Sequence, residues 1–144
     1  MSHEEHCRKL ERLYVAAPCN RYYAPTISIM PGECSLVIPV REDFFHAAHA
    51  VHGSVYFKAL DDAAFFAANS REERFLVLTV TFQISFLRPI GSGELRAHGQ
   101  VVHATSRTIF ADSVVSDAEG KVIGRGSGCF AVSRIELTPD LGYL

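Results

Sequence analysis

Between positions 46 and 79 the chain gathers residue types that do chemistry: His46, His49 and His52, then Gly53, then Asp61 and Asp62, then Thr79. A carboxylate held in a cleft serves as general base or nucleophile. A glycine that opens a helix offers a free backbone N–H at the positive end of the helix dipole, where it can polarise a carbonyl and hold a developing oxyanion. Three histidines spaced by three invite a zinc reading. No cysteine or carboxylate completes a ligand set, however, and the spacing scatters the rings around a helix or across a strand, so no metal site is expected. Plainer readings stand beside these. Gly53 also suits a turn, His52 can hydrogen-bond the backbone and fix the loop into the helix, and an aspartate three or four residues after Lys58 can form a solvated ion pair.

A helix must carry the two aspartates. From Val55 to Ala68 only Lys58, Asp61 and Asp62 are not apolar, and no proline interrupts. Such a run favours helix and, being apolar nearly all round, should be buried. It is shorter than the roughly 20 apolar residues that span a bilayer. The helix is predicted over 53–69, with Ser54, Lys58, Asp61, Asp62 and Asn69 on one narrow stripe. Aspartates are poor helix formers, so two in mid-helix point to a cleft or a partner on that stripe.

Around this helix the chain reads mostly as strand. Residues 3–16 place Leu10, Leu13 and Tyr14 among charges, which predicts a short amphipathic helix ended by Pro18. Residues 1–24 are thus expected to form a helical extension to one domain spanning 1–144. Two β-rich runs flank Pro31-Gly32, a hairpin signal. From Leu76 to Phe86 the even positions are apolar and Thr79, Thr81, Gln83 and Ser85 are polar, predicting a long strand with one buried face. Residues 95–104, 109–117 and 121–132 are further strands, and their short connections predict an antiparallel meander. Gly124, Gly126 and Gly128 alternate, so a bulky group, the phenylalanine-rich helix or a ligand, is expected against them. The fold class is α+β: a curled antiparallel sheet wrapped round one long central helix.

Composition narrows the partners. The net charge is −2 and the isoelectric point about 6.4, with no basic stripe of the kind nucleic acids require. Cys7, Cys19, Cys34 and Cys129 are scattered without CxxC spacing and read as free thiols of a reducing compartment. No signal peptide is expected, and the location expected is cytoplasmic, with no membrane partner.

The order of elements, together with His52-Gly53 and Asp61, resembles the hot-dog fold, and within it the phenylacetate-degradation branch of acyl-CoA thioesterases. That branch carries His-Gly-Gly, a helix with an Asp nine residues after the His, a small-residue run ending Asn-Ser, and a Ser or Thr ten residues before a proline. His52, Gly53, Asp61, Asn69-Ser70, Thr79 and Pro89 sit in that register. Ser54 replaces the second glycine, and His46 stands where the family often has an Asn; a histidine keeps the capacity to donate or accept. The resemblance implies hydrolysis of a thioester to a carboxylic acid and free coenzyme A. Asp61 would be nucleophile or base and Gly53 the oxyanion donor, with His52 as loop organiser and His46 and Thr79 as placers of water or thioester. It also implies Arg88 and the Thr105-Ser106-Arg107 turn against the nucleotide, as planar guanidinium forks suit phosphates. No cofactor is expected; coenzyme A enters as part of the substrate. Eight helical residues rise about 12 Å, so Gly53 and Asp61 of one chain cannot serve one carbonyl. A homo-oligomer, a dimer or dimer of dimers with antiparallel helices, resolves this. The alternative is a non-catalytic acyl-CoA or small-ligand binding module on the same fold.

Overall fold

A computed structural model describes all 144 residues. Helix α1 (His3–Ala16) begins at Ser2, whose hydroxyl accepts from Glu5 N–H, and a single turn α2 (Asn20–Tyr23) follows. The hairpin β1 (Thr26–Met30) and β2 (Glu33–Pro39) turns at Gly32, whose φ of 79° is easy only for glycine. Then come α3 (Gly53–Asn69), β3 (Phe75–Phe86), β4 (Glu94–Ala104), β5 (Thr108–Ser116) and β6 (Val122–Glu136). All six strands join one antiparallel sheet in the order β1-β2-β4-β5-β6-β3, curled about α3. This is the hot-dog arrangement.

The helix lies directly on the sheet because of Gly99 in β4. A Cβ there would stand 2.2 Å from the Ala63 carbonyl oxygen, so only glycine admits this approach. The alanines of α3 extend the same logic: Ala59, Ala63, Ala64, Ala67 and Ala68 are fully buried, and small side chains let backbone meet backbone at native packing density.

Four expectations need correction. The meander holds for β4-β5-β6, but β3 pairs with β6 at the far edge instead of β4. Residues 87–93 therefore form a crossover past β6 and β5, and seven extended residues reach about 24 Å, enough for the three inter-strand spacings of about 14 Å in all. Second, the apolar face of β3 is not one face. A β-bulge at Val80, between Thr79 and Thr81, inverts the alternation. Phe82 and Ile84 pack on the core beyond it, whereas Val77 and Thr79 point inward before it and Leu78 and Val80 are 45% and 60% exposed. Third, Gly126 and Gly128 make room for the Phe82 ring of β3, not for α3; only at Gly124 does the helix, through Tyr56, come close. Fourth, α3 is not covered all round. Phe57 is 42% exposed and Phe65 half-buried, while Asn69, expected on the open stripe, is fully buried. Its amide accepts from Val77 N–H at 2.8 Å and donates to the Glu72 and Phe75 carbonyls, pinning the turn into β3.

Candidate active site

The start of α3 is set by His52. Its Nδ1 accepts from Ser54 N–H at 3.0 Å and lies 2.8 Å from the Ser54 hydroxyl. His52 therefore caps the helix, and its ring faces its own helix instead of converging with His46 and His49. No three His, Cys, Asp or Glu side chains come together in metal-ligand geometry. His46 Nδ1 accepts from Ala48 N–H at 3.0 Å, so in the neutral ring the proton sits on Nε2, a free donor.

His46 and Gly53 border a cleft of about 400 Å³, lined also by Tyr56, Phe86 and Arg88 among others. Gly53 N–H makes no hydrogen bond within the chain and lies in the first turn, where donors are orphaned. The Phe86 ring packs over it: a Cβ at 53 would meet Phe86 Cε1 at 3.0 Å. The Tyr56 hydroxyl donates to the Arg88 carbonyl at 2.7 Å and fixes the far wall.

Two turns along the helix, Asp61 accepts from the Thr79 hydroxyl at 2.9 Å. The bulge at Val80 is what turns Thr79 toward α3, opposite the buried Phe130. Burial raises the Asp61 pKa from 3.8 to about 6; the Thr79 hydrogen bond opposes the rise, Asp62 adds to it, and Lys58 opposes it. Asp62 is different in kind. It accepts from Tyr14 Oη and pairs with Lys58 Nζ, both at 2.7 Å. Its own pKa is raised by burial against the pull of Lys58. The expected solvated pair is in fact nearly enclosed, with Lys58 and Asp62 side chains 16% and 13% exposed. The lid is the N-terminal segment: the Tyr14 and Tyr23 rings both lie within about 5.4 Å of Lys58 Nζ. Sequence reasoning missed Tyr14 as a site neighbour. Its place on the apolar face of α1 marked it as core but not as Asp62's partner.

Within one chain the candidates fall into two groups. His46, His52, Gly53 and Arg88 surround the N-terminal end of α3, while Asp61 and Thr79 lie about 12 Å further on. The Thr105-Ser106-Arg107 turn belongs with the second group: Thr108 pairs with Ala131, opposite Leu78, whereas Phe86 pairs with Gly124. Seven residues of β6 separate those pairs, about 23 Å, so Arg88 and Arg107 of one chain do not meet. Thr105 Oγ1 donates to the Thr108 carbonyl and accepts from Thr108 N–H, which commits it to its own turn.

The profile of the thioesterase superfamily matches residues 48–123. The chain belongs to that superfamily. A protein of Saccharolobus solfataricus, provisionally named an esterase, is 25% identical over 111 residues, 77% of this chain and 79% of that one. A second so named, from Thermoplasma volcanium, is 23% identical over 106 residues, 74% of this chain and 80% of that one. Among solved structures, the PaaI protein from the phenylacetic acid degradation operon of E. coli superposes with a TM-score of 0.86. That match has 21% identity and covers 94% of this chain and 99% of that one. A point mutant of the phenylacetic acid degradation protein PaaI from Thermus thermophilus gives 0.74 at 23% identity, covering 81% and 100%. At these identities the superpositions speak for the fold. No helix is long and apolar enough to cross a membrane.

Proposed function

We propose that the protein hydrolyses an acyl-CoA thioester, with each active site shared between two copies of the chain. The observation that carries this reading is the pair of complementary half-sites on α3: a free N–H at Gly53 and, about 12 Å away, a carboxylate at Asp61 whose pKa is raised to about 6. Two chains with antiparallel α3 helices would bring the Asp61 of one to the partner's Gly53. The uncovered surface supports this: Phe57 of α3 and Phe86 are exposed, and Leu78 and Val80 are exposed on β3 at the edge of the sheet, as an apolar interface would leave them in the single chain.

In this reading the thioester oxygen accepts from the partner's Gly53 N–H, with the partner's His46 Nε2–H as a second donor. Asp61, ionised above its pKa and oriented by Thr79, takes a proton from water as the water oxygen attacks the carbonyl carbon. The oxyanion collapses, the C–S bond breaks, and the proton on Asp61 passes to the departing thiolate. The nucleophile variant differs in one step: Asp61 attacks directly, and water then hydrolyses the mixed anhydride. Arg88 of one chain and the Ser106-Arg107 turn of the other would then flank the same nucleotide.

A hydrolysis screen over short, long and aromatic acyl-CoAs tests the proposal. Release of free thiol from at least one class, abolished by Asp61→Asn, is expected. Binding without turnover of any acyl-CoA would overturn it in favour of a non-catalytic acyl-CoA binding module, in which a half-buried carboxylate beside the thioester has no use.

A further inference from the structure

Next to Asp61, a cavity of about 200 Å³ runs between α3 and the N-terminal segment. Leu13 and Ala17 of that segment, Phe65 and Phe66 of α3, and Leu76 of β3 form its apolar wall, with Asp61 at the rim. Leu13, Ala17 and Leu76 also line a separate groove of about 560 Å³ that continues beneath the closing turn Pro139–Leu141. The same three side chains therefore stand as a partition between a small space beside the carboxylate and a larger one behind it.

The geometry points to a compact, uncharged acyl group as the substrate, ended by the Leu13–Ala17–Leu76 partition. An apolar cavity of about 150 Å³ takes up one benzene, so about 200 Å³ suits a ring with one or two further carbons, or a chain of about six to eight. The polar end of the cavity offers no free cation to an anionic acyl terminus, because Lys58 is neutralised by Asp62 at 2.7 Å. Two of the three partition residues, Leu13 and Ala17, lie outside the segment 48–123 that matches the superfamily, so acyl selection is placed largely in the N-terminal segment. The inference rests on the thioesterase reading.

The test is kcat/KM for straight-chain acyl-CoAs from four to fourteen carbons, in wild type, Leu76→Ala and Ala17→Phe. Wild type should peak at or below about eight carbons and fall at least tenfold by twelve. Leu76→Ala joins the two spaces and should raise the twelve-to-six-carbon ratio about tenfold. Ala17→Phe intrudes on the small space and should lower the eight-to-four-carbon ratio by a similar factor. A wild type that prefers twelve carbons or more, or variants that scale every chain length alike, would overturn the partition while leaving the thioesterase reading in place. Should Leu76→Ala fail to fold, Ala17→Phe decides alone. If wild type hydrolyses none of the series and no aromatic acyl-CoA, the thioesterase reading falls; whenever the straight chains are not turned over, melting temperatures with hexanoate and dodecanoate judge the partition separately. Stabilisation of wild type by hexanoate alone, and of Leu76→Ala by both acids, upholds it; equal responses of the two proteins overturn it.

Discussion

Replacing Asp61 by Asn should remove activity and at the same time make the protein more stable. The carboxylate has a pKa of about 6 in the folded chain against 3.8 for an ordinary aspartate. Its folded-state value lies above its unfolded value, so the folded state binds the proton more tightly and the ionised group opposes folding. The cost is complete above pH 6, shrinks as the pH falls through 6, and is gone below about 4. A rise of about two pH units corresponds to about 3 kcal/mol. Solvent at the open face of α3 screens part of this, which leaves about 1–3 kcal/mol. For a chain of this size each kcal/mol moves the melting temperature by about 3 °C, so Asp61→Asn should melt about 3–9 °C above wild type at pH 8 and level with it at pH 4. The Thr79 hydroxyl can still donate to the amide oxygen, so geometry is kept while basicity is lost. Turnover should fall about 100- to 10,000-fold, and wild-type kcat/KM should climb as pH rises through 6 and level off above. Scanning calorimetry at the two pH values and a pH–rate profile read all of this. A melting gap that is negative at pH 8, or the same at both pH values, would refute the desolvation argument; undiminished kcat/KM would refute the role of Asp61.

Asp62→Asn should instead lower stability, because the nearly enclosed Lys58 and Tyr14 lose a charged partner at a cost of about 2 kcal/mol, from which relief of the buried Asp62 carboxylate's own raised pKa subtracts part, leaving a net loss of about 1 kcal/mol. Its kcat/KM should stay within about tenfold of wild type, and a stability change below about 0.5 kcal/mol in urea melts would contradict the enclosure. Sedimentation at micromolar concentration should show no stable monomer, and mixing Asp61→Asn chains with chains blocked at Gly53 should restore one working site per dimer; an active monomer would sink the shared site. Arg107→Ala should raise KM more than it lowers kcat, with the difference fading at high salt, and an unchanged KM for acyl-CoA would remove Arg107 from the nucleotide site.

Local pattern carried much of this protein into view. The apolar alanine-rich run has the bounds Gly53–Asn69 that its composition predicts, and the His52 ring accepts from the backbone at its start. What escaped the sequence depends on contacts between distant segments. The Val80 bulge leaves the period-two pattern of β3 outwardly intact, because an apolar residue occupies the extra position. Yet that one residue decides that Thr79, a polar residue assigned to the outer face by alternation, instead meets Asp61. The pairing of β3 with β6 is likewise invisible locally, since a seven-residue connection with Pro89, Gly91 and Gly93 reads as a hairpin turn as readily as a crossover. The difference between Asp61 and Asp62 is of the same origin. Adjacent on one helix, they have similar local chemistry; the docking of α1 brings the Tyr14 phenol to Asp62 and encloses its pair with Lys58 one turn back, while Asp61 is left a single hydroxyl. A carboxylate with fewer partners is the one whose proton affinity rises into the working range of a base. The N-terminal segment thereby does two things at once: it sequesters Asp62 as structure, and it walls the cavity that leaves Asp61 open to a substrate.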